Sequence, residues 1–172
     1  YGNVEFGAGL DTMTIDGGAN FQGRISDSDN TLTLNVIDGA IEATNTQPVQ
    51  LGTMNMGAEG TLIVTLDPEA GVGSELSGFD VSGTATLATG AGLGVRFVSL
   101  LQTATTFTVI QAGDLQAGTL ALQTLDTNTP YVYLATAVVD SANDELLLQI
   151  TRKTPEQLGM IGAEADAYNA IY

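Results

Sequence analysis

The side chains best placed by type and spacing to do chemistry are carboxylates. Gly7-Ala8-Gly9-Leu10-Asp11-Thr12-Met13 matches the calcium-binding nonapeptide at Gly7, Gly9, Asp11 and Met13, with Phe6 where the first Gly should stand. Further on, Asn20 replaces the next Asp, and Asp16 replaces a Gly. Calcium in such rolls is shared between consecutive copies, so one imperfect copy makes a poor site. Asp27-Ser28-Asp29-Asn30 is the densest acidic cluster and offers oxygen ligands to a hard cation, without the Gly and terminal Glu of an EF-hand loop. Asp11, Asp27 and Asp29 are therefore the calcium candidates, and no other cofactor is expected. The competing reading makes each of them a turn residue, with Gly supplying positive φ and Asp capping the backbone. Asp140 with Asp144-Glu145 reads in the same way, as a hairpin tip.

Other chemistry has few residues to draw on. The chain has no His and no Cys, which excludes Ser-His-Asp and Cys-His nucleophile systems, zinc sites of the usual ligands, and disulfides. Polysaccharide hydrolases need two or three converging carboxylates, and lyases add a metal and a base. The only basic residues are Arg24, Arg96, Arg152 and Lys153, and no Asp-Asp pair, G-x-S-x-G elbow or P-loop occurs. Gly90-Ala91-Gly92-Leu93-Gly94 lacks the dinucleotide spacing. An enzyme is not expected. Arg152-Lys153 reads as a solvated strand end, or as a protease-accessible border before the tail.

The elements that must position these residues are short strands. Four basic against twenty acidic residues give a net charge of −16, which makes nucleic acid and anionic membranes poor partners. With 44% hydrophobic and 14% charged residues the chain folds, and its 172 residues suffice for one domain with a core. It lacks an apolar run long enough for a membrane-spanning helix, so direct membrane insertion is not expected. It begins at Tyr1 rather than Met, which suggests a processed or excised piece of a longer protein.

A small polar or Gly residue followed by Thr and an apolar alternation recurs at Asp11–Ile15, Asn30–Leu34, Gly52–Met56 and Gly60–Leu66. The first three have their Thr at 12, 31 and 53, a period near 20 that suggests a β-solenoid. An antiparallel sandwich is the competing reading. Later strands are expected at Phe79–Val81, Thr84–Leu87, Leu93–Leu100, Thr106–Gln111, Thr119–Leu125, Tyr131–Val139 and Glu145–Arg152, the last two forming a hairpin. Pro155 opens a helical pattern through Leu158, Met160 or Ile161, Ala165 and Tyr168, a helix whose partner is missing from the sequence.

From Gly60 to Tyr172 the chain resembles the C-terminal passenger region of bacterial autotransporters. The resemblance rests on Gly60-Thr61-Leu62-Ile63-Val64-Thr65-Leu66-Asp67-Pro68, Gly83-Thr84-Ala85-Thr86-Leu87 and Thr106-Phe107-Thr108-Val109-Ile110-Gln111-Ala112-Gly113. It continues through Thr129-Pro130-Tyr131-Val132-Tyr133 and Arg152-Lys153-Thr154-Pro155-Glu156-Gln157-Leu158-Gly159. It implies an all-β fold: a right-handed parallel β-helix with a C-terminal cap of β-hairpins and a short C-terminal helix. On this reading residues 1–66 are coils, 67–154 the β-helix end and autochaperone-like cap, and 155–172 a helical tail or linker toward an absent translocator β-barrel. The implied function is a non-enzymatic stem and folding cap, exported across the outer membrane to the bacterial surface or secreted. The alternative is an adhesin or self-assembling fibre subunit that binds its own copies or a cell-surface ligand.

Overall fold

In a computed structural model of the protein, residues 2–66, 78–97, 104–120 and 132–171 are described. They are mostly β-structure. Twelve strands run through the described residues: β1 (Val4–Phe6), β2 (Thr12–Ile15), β3 (Ala19–Gly23), β4 (Ile25–Asp27), β5 (Thr33–Ala43), β6 (Val49–Leu51), β7 (Thr53–Leu66), β8 (Phe79–Leu87), β9 (Gly92–Phe97), β10 (Thr105–Ala117), β11 (Tyr133–Asp140) and β12 (Glu145–Arg152). One helix, α1 (Ala163–Ile171), follows.

The repeat seen in the sequence is a stacking register. Thr12 pairs with Thr33, and Thr33 with Thr53; one residue on, Met13, Leu34 and Met54 align, and Met54 aligns with Ala85. All these pairings are parallel, so side chains of like kind lie above one another. Alternation then sends Leu34, Met54 and Ala85 into the core, where each is fully buried, and leaves the Thr/Asn rows outside. Each fully buried Leu or Met contributes roughly 1.5–3 kcal/mol relative to exposure. The string beginning at Gly60 is not a further rung. It is the second half of β7, where Gly39 pairs with Gly60 and Ala40 with Thr61.

The long strands serve two columns because they bend. In β5 the segment Thr33–Val36 pairs with β2, and Gly39–Ala43 pairs with β3. The register shift between Val36 and Asp38 marks the bend against β7. The preceding rung makes the same corner with Asp16-Gly17-Gly18, where Gly17 and Gly18 have φ of 63° and 74° and the Gly17 N–H donates to Asp16 Oδ1 at 2.7 Å. At Gly39, with φ 129°, an added Cβ would lie 2.1 Å from the Ala19 carbonyl oxygen, so only glycine lets the two corners stack. A third column joins β6 to β8 and β8 to β10, again in parallel.

Parallel pairing ends at β10. Its other edge is antiparallel to β12, and β12 is antiparallel to β11, so the sheet is mixed. The expected hairpin is present, with its tip at Ser141–Asp144. Asp140 accepts the Ala142 N–H and the Asn143 side-chain amide, and the Asn143 contact is the main reason its carboxyl lies below the usual range. The tip also docks. Asp144 O accepts the Ala112 N–H, and Asp144 Oδ1 accepts the Leu115 N–H at 3.1 Å, across the bulge in β10.

Three further expectations change. Phe79–Val81 and Thr84–Leu87 are one strand, β8. The helix expected from Pro155 begins only at Ala163. Thr154 and Gln157 form a reciprocal cap, with Gln157 Oε1 accepting the Thr154 N–H and Thr154 Oγ1 accepting the Gln157 N–H. That start signal is real, but the turn closes at once. Gly159 sits at φ 73°, its N–H reaches Glu156 O, and the Met160 N–H reaches Pro155 O, the pattern that ends a helix. Nor does the tail lack a partner. Tyr168 is buried, its hydroxyl donates to Lys153 O at 3.0 Å, and the Arg152 guanidinium lies 5.0 Å from its ring centre. Asp67-Pro68 and Thr129-Pro130-Tyr131 of the resemblance strings lie outside the described residues. So does the strand at Thr119–Leu125, apart from Thr119 and Leu120, which are not in a strand.

Candidate functional site

The acidic residues singled out from the sequence hold turns. Asp27 ends β4, and its Oδ2 accepts the Thr31 and Leu32 N–H groups at 2.7 and 2.9 Å. Its Oδ1 is buried without a hydrogen-bond partner among the described residues. Asp29 reaches one rung back, where its Oδ2 accepts the Gly9 N–H at 2.8 Å. The Thr31 hydroxyl, with one hydrogen to give, lies 2.5 Å from Gly9 O and 2.8 Å from Asp29 Oδ1. The Gly9 N–H, and after it the Thr31 hydroxyl, favour the charged form and hold the Asp29 carboxyl below its ordinary range. Asp11 contributes through its backbone, its carbonyl accepting the Thr33 N–H at 2.9 Å. Asp27 and Asp29 thus belong to one turn, stitched to the Gly9 loop. Among the described residues no three acidic side chains converge as a cation's ligand set.

A second cluster was not visible in the sequence. On β5, Ile41 and Ala43 enter the core, so alternation points Glu42 to the outer face, yet it is only 5% exposed. Three strands bury it. From β3, Gln22 pairs with Glu42 in register and donates Nε2–H to Oε2 at 2.8 Å. From β7, the Thr65 hydroxyl donates to Oε1 at 2.9 Å. From β9, Arg96 stands opposite Thr65 and closes on both oxygens, with Nε 3.1 Å from Oε1 and Nη2 3.1 Å from Oε2. This is the bidentate geometry that makes Arg–carboxylate pairs strong. Glu42 is buried with its charge matched and both oxygens satisfied, which is what a buried carboxylate requires.

The cluster forms the base of an open groove of about 240 Å³ on the outer face of β3, β5, β7 and β9. Asn20 and Gln22 border it from β3, Ala40 and Ile63 supply an apolar patch, and Arg96 closes one end. A single carboxylate bound to an arginine cannot divide the general acid and base roles of glycoside cleavage. The arrangement can cross-link rungs and present hydrogen-bonding groups beside an apolar patch. The only sequence signal for it was a Glu between the core residues Ile41 and Ala43 of β5. No protein family matches the chain, and comparisons with curated proteins and with solved structures return no match.

Proposed function

We propose that the chain is a structural stem with a folding cap: a right-handed parallel β-helix whose antiparallel C-terminal strands template the coils before them. The observation that carries this reading is the junction at β10, one strand that pairs in parallel with β8 and antiparallel with β12. A parallel rung joins residues about 20 apart, Thr33 with Thr53 for example, whereas the β11–β12 hairpin closes over the four residues 141–144. Closing the longer loop costs roughly 1–1.5 kcal/mol more, before any contact rewards it. A preformed hairpin clamped to β10 by Asp144 offers the stack an edge that the coils lack. The outer acidic residues and the absence of cysteine suit a protein exported unfolded through an oxidising compartment to a bacterial surface, with a translocator barrel as its partner. Folding and unfolding kinetics of core variants in the cap and in the coils test the reading. Cap variants should slow folding, while coil variants should chiefly speed unfolding.

A further inference from the structure

We propose that the groove beside Glu42 binds a neutral sugar residue, independently of the stem reading. Glu42 takes Nε and Nη2 of Arg96, which leaves Nη1 to donate. Gln22 spends one amide N–H on the same carboxylate, leaving the other to donate and its carbonyl oxygen to accept. Asn20 is exposed at the rim, and its amide has no hydrogen-bond partner among the described residues, so it offers a donor and an acceptor. Beside these groups lie the half-buried Ala40 and Ile63.

This combination selects a ligand class. An apolar patch flanked by both donors and acceptors matches a pyranose ring, which has a C–H face and a hydroxyl rim. Glu42 and Arg96 cancel in charge, and the chain carries −16, so an anion gains no net attraction. Both Glu42 oxygens are already taken by Gln22, Thr65 and Arg96, so the groove offers a cation no open carboxylate. At about 240 Å³ the groove falls below the range of roughly 300–1,000 Å³ that encloses drug-sized molecules, so it suits a single ring. The carboxylate is held by four contacts from three strands and is already in place before a ligand arrives.

Saturation-transfer NMR and calorimetry on the full chain test this, with methyl hexopyranosides, methyl uronates and inorganic phosphate as probes. A neutral hexoside should bind, and Asn20→Ala should weaken it about tenfold, the loss of one hydrogen bond. Asn20 makes no hydrogen bond to the Glu42 clamp among the described residues, so its variant should keep the wild-type melting temperature. Ile63→Glu, read beside it, should abolish binding by charging the apolar patch. Absence of binding by every hexoside, preference for the uronate or phosphate, or affinity unchanged in Asn20→Ala would each overturn the proposal.

Discussion

Glu42 stands between two core residues, and its carboxylate is covered only because Gln22, Thr65 and Arg96 reach it. Glu42→Gln keeps the size but removes the charge, leaving the guanidinium without its counter-ion and setting an NH2 against donors. Arg96 is 59% exposed and can rehydrate, so the loss falls below that of a fully buried pair, at about 1–3 kcal/mol. A shift of the urea midpoint with an unchanged m-value checks it. Asp29 acts through pH. Its carboxyl stays charged to lower pH in the fold than in the unfolded chain, where it titrates near 3.8. The stability it contributes is present above that value and is lost as pH falls through the lower folded one. Asp29→Asn should therefore destabilise the protein at neutral pH and flatten its melting-temperature profile below about pH 4. Identical acid profiles would contradict this. The Asp27–Asp29 turn was legible in the sequence because most of its bonds are local. The Glu42 cluster was not, because its partners lie 20, 23 and 54 residues away.

Among the elements, those with a local cause were the most legible. The β11–β12 hairpin follows from turn residues between two apolar runs, and the Thr rows of β2, β5 and β7 follow from their spacing. What spacing did not reveal was the corner. The Gly60 string has the composition of a new rung but continues β7 around a bend set by stacked backbone contacts. The tail was half legible: Thr154-Pro155 starts a turn, and Gly159 ends it four residues before α1 begins at Ala163. Helix α1 is short and acidic in its first turn, and by itself it is marginal. Its order therefore depends on Tyr168 docking against Arg152 and Lys153. Tyr168→Ala removes a buried aromatic worth about 3 kcal/mol, more than such a helix can make up. Amide exchange should lose protection through Ala163–Ile171 while β12 keeps its own. Unchanged protection in α1 would show that Tyr168 does not hold it.

At the scale of the molecule, the stack has two unlike ends. Its parallel strands depend on neighbours about 20 residues away, whereas the β11–β12 hairpin closes locally and grips β10. A template role makes the order of events measurable through two matched residues. Leu148 in β12 and Leu34 in β5 are both fully buried, so Leu→Ala removes the same side chain from the antiparallel hairpin and from the parallel strands. Each change should cost about 2–5 kcal/mol, well above what reliable φ-values need. The direct measurement is the φ-value of each variant from folding and unfolding rates of the full chain. Templating by the cap predicts φ above about 0.6 at Leu148 and below about 0.3 at Leu34. The reverse order, or equal values at the two sites, would contradict it.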